Sequence, residues 1–216
     1  HMFACGTEAG DWLFGEKNRD KVIQQRNAID TADYRYDSSI ATETREQFGV
    51  VDPNTFVLGH VGRFFPQKNH AFLIGVFAEV HRQCPNSVLW LVGGGELDDE
   101  LKNQIRSKVK ELDLTDAVKF LGVRSDVNRI MQGMDSFILP SLYEGLPVTM
   151  IEAQASGLPC TISDRVPRQC DVTGNVQVVS LDETPAEWAN RILVQHARHA
   201  DSDRVSGAET VISAGF

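Results

Sequence analysis

Two glutamates in the segment LPSLYEGLPVTMIEAQASGLP have the surroundings of ligand-binding carboxylates. Glu144 precedes the turn at Gly145 and Leu146, and Glu152 lies in the apolar helix that the pattern predicts next. A carboxylate among apolar side chains is costly unless it is exposed or has a polar partner. A ribose or sugar diol is a suitable partner, because one carboxylate accepts two hydroxyl hydrogen bonds. This combination weakens the alternative of two ordinary surface glutamates.

Two cations follow a glycine in the segment HVGRFFPQKN. Gly62 would let the chain turn sharply after an apolar strand, and Arg63 and Lys68 would then lie in the next loop. An arginine fork and a lysine point charge together can hold a diphosphate. Considered alone, this segment favours ordinary surface cations, since exposed Lys and Arg are the norm.

Three glycines end the next apolar strand in LVGGGELDDE. Gly93 and Gly95 would allow a phosphate to approach backbone N–H groups at the start of a helix. The third position of a dinucleotide fingerprint is occupied by Asp98, and an acidic helix start repels phosphate. Considered alone, the segment favours a tight turn before a well-capped helix.

Other candidate residues have simpler interpretations. His196 and His199, close to Asp201 and Asp203, could form a crude metal site, but a solvated helix end is favoured because the helix dipole attracts histidines. His60 is expected to be a core histidine whose hydrogen bonds are satisfied. The tryptophans are dispersed and are expected to be core or interface anchors, not a stacking platform; they are Trp12, Trp90 and Trp188.

The elements that position these residues alternate between strands and helices. Continuously apolar runs such as TFVLGHV, SVLWLV and SFILP alternate with segments of helical periodicity, and one of these helices is expected to be opened by a serine near residue 38 and to end at Gly49. Such alternation predicts a Rossmann-like, doubly wound parallel sheet covered by helices on both faces. Ligands bind such sheets at the carboxyl ends of the strands, where the candidate residues lie.

Composition restricts the function further. The formal net charge is -9, which disfavours nucleic acid as a partner because phosphate binding needs a basic face. No apolar run is long enough for a transmembrane segment. The four cysteines form no C-x-x-C pair, so they are expected to be reduced thiols.

The first thirty residues differ from the regular pattern that follows. Residues 1–2 resemble a cloning scar. Residues 3–30 contain one strand-helix-strand fragment, which we expect to be the tail of an N-terminal domain and a linker. Residues 31–216 are expected to form one domain that binds a nucleotide-sugar.

The runs P-S-L-Y-E-G-L-P and E-A-Q-A-S-G-L-P resemble the signature of the group 1 glycosyltransferases, a large retaining family with the GT-B fold. Four other segments resemble the family in the same order: NAID its linker, GHVGRFFPQKN its G-R-x3–4-K segment, LVGGGE its glycine turn and VKFLGVRSDV its base-binding loop. FACGTEAGDWLFG resembles the last strand and helix of the N-terminal domain in enzymes of bacterial capsule and exopolysaccharide biosynthesis.

The resemblance implies a role for each candidate. Arg63 and Lys68 would neutralise the diphosphate of the leaving nucleotide, and Glu144 would contact the transferred sugar; these three form the expected catalytic set. Glu152 would hold the ribose and the Arg124 loop the base. Backbone groups at glycines and in the turn after Glu144 would lie near the phosphates: Gly62, Gly93, Gly145 and Leu146.

The resemblance also implies the reaction and its partners. A hexosyl group would pass with retention from a nucleoside diphosphate sugar, expected to be a UDP-sugar, to a glycan or lipid-linked acceptor, with no metal ion required. The enzyme would be cytoplasmic, at the inner face of the plasma membrane. The acceptor site and a catalytic histidine would belong to an N-terminal domain outside this sequence, so the chain is expected to bind donor without catalysing transfer.

Three other functions remain open from the sequence. A GT-B-like epimerase or phosphorylase uses a similar fold, although no feature indicates a lysine for pyridoxal phosphate. A non-catalytic nucleotide-binding module is a second possibility. A nicotinamide-dependent dehydrogenase is disfavoured by the incomplete glycine fingerprint.

Overall fold

The computed structural model describes residues 1–25, 27–94, 99–199 and 204–216 of the 216-residue chain. The predictions for Gly95, Asp98, Asp201 and Asp203 lie outside these residues. The chain begins with strand β1 (Met2–Ala4), helix α1 (Thr7–Phe14) and strand β2 (Val22–Gln24). β1 and β2 pair in parallel as a small sheet of their own.

Six further strands form the main sheet. In chain order they are β3 (Phe56–Val61), β4 (Ser87–Val92), β5 (Val118–Gly122), β6 (Ser136–Leu139), β7 (Cys160–Ser163) and β8 (Val176–Val179). All neighbouring strands are parallel, and their spatial order is β5-β4-β3-β6-β7-β8. This is the strand order of the Rossmann fold, so the predicted fold class is confirmed.

In the described ranges, eight further helices accompany the sheet or follow it. They are α2 (Thr31–Tyr34), α3 (Ser38–Gln47), α4 (His70–Gln83), α5 (Asp99–Glu111), α6 (Val127–Gln132), α7 (Val148–Ala155) and α8 (Pro185–His199), followed by a terminal helix α9 (Ser206–Ser213) that the sequence analysis did not identify. Short 3-10 helices occupy Glu16–Lys21, Pro66–Lys68 and Arg168–Cys170.

Successive residues of each strand point to opposite faces of the sheet, and both faces are covered. Leu58 packs with α4, α5 and α8, whereas Val57 packs with α6 and α7. All six residues of β3 are buried, as in a central strand. Burial on both faces explains why the strands read as continuous apolar runs instead of alternating ones.

The helix that begins near residue 38 is capped differently from the sequence prediction. Asp37, not a serine, is the N-cap, and its carboxylate accepts hydrogen bonds from the backbone N–H groups of Ser39 and Ile40. Gly49 ends the segment as predicted, with a φ of 78°. Serine was a reasonable choice because Ser and Asp are nearly equal as caps.

Candidate functional site

The candidate residues meet where β3 and β6 lie side by side in the sheet. From this pair the chain winds outward in opposite directions, towards β5 on one side and β8 on the other. The loops after β3 and β6 therefore diverge and leave a crevice at the carboxyl ends of the strands, which is the ligand site of open α/β sheets.

Lys68 and Glu144 form an ion pair across this crevice. Lys68 Nζ donates to Glu144 Oε1 at 2.6 Å, and the side chains are only 16% and 8% exposed. Gln67 Nε2 donates to the other carboxylate oxygen at 3.1 Å and to the carbonyl of Tyr143 at 2.8 Å. The loops after β3 and β6 are thus joined, and Lys68 is already neutralised by Glu144 without a ligand.

Arg63 lies in the same loop and is exposed. Within the described residues it forms no ion pair or hydrogen bond with a side chain. The positive charge of the Arg63 guanidinium is therefore not compensated by a neighbouring side chain in the described residues, in contrast to that of Lys68. This difference between Arg63 and Lys68 could not be read from the sequence, which placed both cations in one loop.

Neighbouring atoms leave little room for a side chain at Gly62 and Gly93. The sequence had instead suggested a sharp turn at Gly62 and the approach of a phosphate at Gly93. A Cβ at Gly62 would lie 3.0 Å from His60 Nε2 and 3.2 Å from Lys68 Cε, and Gly62 does not have a positive φ. Gly93 has a φ of 129°, and a Cβ there would overlap the carbonyl of Gly62. The close approach at Gly93 is thus made by backbone, with Gly62 N also donating to Val92 O at 2.9 Å.

Glu152 opens into a cavity of about 330 Å³ beside the end of β3. Burial raises the pKa of Glu152, while an interaction with the Tyr34 hydroxyl lowers it. The cavity is lined by residues from α2, β3, the loop after β5, α6 and α7: Asp33, Tyr34, Val61, Ser125, Val127, Asn128 and Glu152. Sequence reasoning missed Tyr34, because α2 is a single turn without periodicity.

The loop after β5 reaches this cavity through Ser125. The Arg124 side chain is instead held by Asp126, with Arg124 Nε 2.8 Å from Asp126 Oδ1, and it lies over the Phe48 ring at 5.6 Å. Hydrogen bonding to Asp126 raises the pKa of Arg124. Arg124 therefore shapes this loop through Asp126 and Phe48, and the role of the loop in holding a base stays a prediction.

The turn after Glu144 divides into an open and a packed part. A Cβ at Gly145 would meet no atom within 4 Å. Leu146 is half-buried and packs against the core. The backbone of this turn, and not the Leu146 side chain, is therefore the part open to a ligand.

Two buried histidines lie beneath the crevice. His60 is fully buried, and its Nδ1–H donates to the Ile138 carbonyl at 2.9 Å. Its Nε2 has no hydrogen-bond partner among the described residues, so the expected core position is confirmed but its hydrogen bonding is incomplete. Burial lowers the pKa of His70 to about 4, and both rings are therefore neutral at pH 7.

The other histidine and tryptophan predictions have mixed outcomes. His199 interacts with Gln195 O at 2.9 Å and Asn175 Oδ1 at 3.1 Å. In the described ranges no three His, Cys, Asp or Glu residues cluster as metal ligands. Trp90 and Trp188 are core residues as expected, whereas Trp12 is 85% exposed.

The fold and these side chains define a Rossmann-like α/β domain with a polar crevice at the switch in strand order. The family model described as "Glycosyl transferases group 1" matches residues 55–195, which include the crevice on both sides. The chain belongs to this family.

Named relatives agree with this assignment. EpsF of Bacillus subtilis, whose name places it among glycosyltransferases, is 38% identical over 194 residues, covering 88% of this chain and 49% of EpsF. An Escherichia coli protein named UDP-Gal:alpha-D-GlcNAc-diphosphoundecaprenol alpha-1,3-galactosyltransferase is 39% identical over 117 residues, 51% of this chain and 28% of that protein. The chain thus spans about half or less of the length of these relatives.

Solved structures show the same fold. HepE from Anabaena, in a complex with UDP and glucose, matches with a TM-score of 0.81 at 23% identity, covering 99% of this chain and 58% of HepE. In the part of the chain that the structure describes, no helix has both the length and the apolar character needed to cross a membrane.

Proposed function

We propose that this chain is the donor-binding half of a retaining glycosyltransferase that moves a hexosyl group from a UDP-sugar to a glycan acceptor in surface polysaccharide synthesis. The observation that carries the proposal is the arrangement at the crevice. The Glu152 cavity lies beside the end of β3. The ion pair between Lys68, in the loop after β3, and Glu144, in the loop after β6, lies at the same edge of the sheet. We propose that one nucleotide-sugar extends from the cavity to this pair.

The nucleoside would occupy the cavity of Glu152. A carboxylate can accept hydrogen bonds from both ribose hydroxyls, and Tyr34 helps to keep Glu152 ionised by lowering its pKa. Ser125 and its loop would border the base. The names of the Escherichia coli relative and of the HepE complex both contain a uridine nucleotide, which supports UDP over nucleotides with other bases.

The diphosphate would lie near Gly62 and Arg63. During transfer the bond between the anomeric carbon and the phosphate oxygen breaks, the acceptor hydroxyl oxygen forms the new bond, and its proton passes to the departing phosphate oxygen. Negative charge develops on the leaving UDP, where preorganised cations stabilise the transition state. Arg63 would supply a positive charge that no neighbouring side chain compensates, while Lys68 would share its charge between UDP and Glu144. We propose that these two cations make a metal ion unnecessary.

Glu144 would hold the transferred sugar. Its second oxygen bonds to Gln67, so the carboxylate is fixed in orientation by two donors before the sugar arrives. The backbone at Gly145 has open space beside it for the sugar or its phosphate. Retention at the anomeric carbon would require the acceptor to approach from the same face as the leaving UDP.

The acceptor is proposed to be a lipid-linked glycan. The name of the Escherichia coli relative contains a diphosphoundecaprenol acceptor, and a Salmonella typhi relative, 31% identical over 151 residues, is named for Vi polysaccharide biosynthesis. The net charge of -9 disfavours nucleic acid as an alternative partner.

Binding of a set of nucleotides to the purified chain tests the proposal. In calorimetric titrations with UDP, GDP, ADP and NAD, we expect UDP to bind most tightly. A ligand at a hundredfold excess over its Kd would also raise the free energy of unfolding by about 2.7 kcal/mol, which a thermal shift would detect. Preference for NAD would overturn the glycosyltransferase donor site in favour of a dehydrogenase.

A further inference from the structure

The segment 204–213, named here the α9 segment, packs backbone to backbone against α7. A Cβ at Gly207 would lie 2.5 Å from the carbonyl oxygen of Gln154, and one at Gly157 would overlap the carbonyl of Arg204. Optimal contacts between non-bonded atoms are about 3.5–4.0 Å, so neither position has room for a side chain. The α9 segment is therefore fixed in position relative to α7.

Arg204 begins this segment and holds the ends of two helices. Its Nη2 donates to the carbonyl of Ser156, the C-cap of α7, at 2.9 Å, and its Nη1 donates to the carbonyl of Met134, just after α6, at 2.9 Å. Carbonyls at a helix end lack partners within the helix and attract cations. Since α6 and α7 both line the Glu152 cavity, Arg204 fixes two walls of this cavity through the C-terminal ends of the helices.

The segment that contains α2 also lies against the α9 segment. Three consecutive residues make the contacts: Tyr34 packs against the apolar cluster that contains Val211, Arg35 forms an ion pair with Glu209, and the Tyr36 ring lies 4.1 Å from the Arg204 guanidinium. A helix of a single turn, such as α2, is not stable without packing partners. The α9 segment is therefore one of the supports that hold α2 in place.

The other support of α2 is α6, which acts on the backbone. Asn128 Nδ2 donates to the Asp33 carbonyl at 3.2 Å, and Gln132 Oε1 accepts from the backbone N–H of Asp37 at 2.9 Å. These bonds locate the chain on either side of Tyr34. The position of the Tyr34 ring is set by the apolar cluster of α7 and α9.

We propose that the α9 segment positions the Tyr34 hydroxyl beside Glu152, with Val211 and Arg204 as positioning residues of the donor site. This inference rests on the proposed function, in which Glu152 holds the ribose of UDP. None of the described residues that line the cavity belongs to the α9 segment. Its effect on UDP therefore passes through Tyr34 and the cavity walls, without contact with the nucleotide.

The titratable groups around Glu152 determine what a displaced Tyr34 would do. Asp33 and Tyr34 of α2 line the same cavity. Charged groups on the adjoining segments are paired: Arg35 with Glu209, Asp126 with Arg124, and Arg129 with Glu43. The interaction with Tyr34 lowers the pKa of Glu152. Displacement of Tyr34 should therefore raise this pKa, so that the ionised form is lost at a higher pH on acidification.

Substitution of Val211 tests the inference. Val211→Ala removes two methyl groups from the fully buried contact of α9 and leaves every cavity residue unchanged. In calorimetric titrations, the fall of UDP affinity on acidification should occur at higher pH than in the unaltered chain, as in Tyr34→Phe. In that range UDP should bind at least about twofold more weakly, the lower end of the coupling between packed residues.

A double variant and a control separate positioning from general loss of stability. Val211→Ala combined with Tyr34→Phe should have the pH profile of Tyr34→Phe alone, because the hydroxyl to be positioned is absent. Val80→Ala is the matched control, since Val80 is also fully buried but lies in α4 on the other face of the sheet. It should lower the free energy of unfolding and leave the pH profile unchanged.

Hydrogen exchange gives a second test that leaves the packing of α9 intact. If docking of the α9 segment favours UDP binding, UDP must favour this docking by the same factor. UDP should therefore slow backbone exchange over Ser206–Ser213 at least about twofold in the unaltered chain, and the effect should be smaller in Tyr34→Phe. Exchange over α8, on the other face of the sheet, should not change in the same way.

The outcomes distinguish this inference from the proposed function. If UDP binds the unaltered chain but the profiles of Val211→Ala and Val80→Ala coincide, the positioning role is wrong and the donor site stands. Unchanged exchange over Ser206–Ser213 with UDP bound would also overturn it. If UDP does not bind the unaltered chain, the proposed function fails and this inference fails with it.

Discussion

Two opposing influences act on the pKa of the Glu152 carboxyl group. Burial is the larger influence and raises the pKa of its carboxyl group, and the Tyr34 hydroxyl lowers it. Asp33 also lines the cavity and adds negative charge close to Tyr34. Tyr34 therefore offsets part of the effect that burial has on the pKa of Glu152.

Removing the Tyr34 hydroxyl should change the pH dependence of UDP binding. In Tyr34→Phe the lowering influence is lost, so the pKa of Glu152 rises. The ionised form, which accepts both ribose hydroxyls, is then lost at a higher pH as the solution is acidified. Calorimetric Kd values from neutral to mildly acidic pH should show the loss of UDP affinity displaced to higher pH.

Tyr36→Phe is the matched control for this prediction. Tyr36 packs its ring against the Arg204 guanidinium at 4.1 Å, away from the residues that line the Glu152 cavity. Its pH profile should follow that of the unaltered chain. Coincident profiles for Tyr34→Phe and the unaltered chain would contradict the role assigned to Tyr34.

Lys68 should contribute to stability as well as to ligand binding. Lys68→Met leaves Glu144, which is 8% exposed, without its cation. Hydrogen bonds to charged groups contribute about 1.5–3 kcal/mol, so we expect a loss of that order in the free energy of unfolding, measured in urea.

A second substitution separates these two roles. Adding Glu144→Gln to Lys68→Met removes the unpaired charge and should recover most of the stability. UDP affinity should stay reduced, since the cation is still absent. A double variant as unstable as Lys68→Met would show that the ion pair is not the origin of the loss.

At the scale of elements, Gly62 and Gly93, which follow β3 and β4, determine how closely the loops after these strands approach each other. Gly122, at the end of β5, serves as a comparison, because Gly93 and Gly122 both have positive φ values, 129° and 73°. An alanine in the left-handed region costs about 1–2 kcal/mol. A Cβ at Gly122 meets no atom within 4 Å, whereas one at Gly93 overlaps the Gly62 carbonyl.

Gly93→Ala should therefore be more destabilising than Gly122→Ala. The second variant bears only the backbone strain, but the first must also displace backbone at the crevice. Urea unfolding with unchanged m values would measure the difference. Equal losses in the two variants would show that the contact between Gly93 and Gly62 does not constrain the loops.

Local elements differed in how far the sequence could predict them. The strands β3, β4 and β6 were predicted because burial on both faces keeps them largely apolar. The cap at Asp37 was missed because neighbouring Ser and Asp residues are equally good caps. The terminal helix α9 was missed because its burial depends on distant partners, with Val211 packing against Ile151 and Ala155 of α7.

At the scale of the molecule, the strand order explains why distant residues meet. Gly62 and Glu144 are far apart in sequence, but β3 and β6 are neighbours in the sheet. Strand alternation and the rule for carboxyl ends were sufficient to predict that these residues share an edge. The pairing of Lys68 with Glu144 was not predicted, because it depends on side-chain reach between two loops.

Calorimetric titration of UDP into the unaltered chain, Glu152→Ala and Glu111→Ala tests the central claim most directly. Glu111 is an exposed acid at the end of α5, and its substitution should leave binding unchanged. We expect one UDP per chain and an affinity at least about tenfold weaker in Glu152→Ala, from the loss of about 1.5–3 kcal/mol in charged hydrogen bonds. Equal UDP affinity in Glu152→Ala and Glu111→Ala, or no binding by any of the three chains, would contradict the donor site described here.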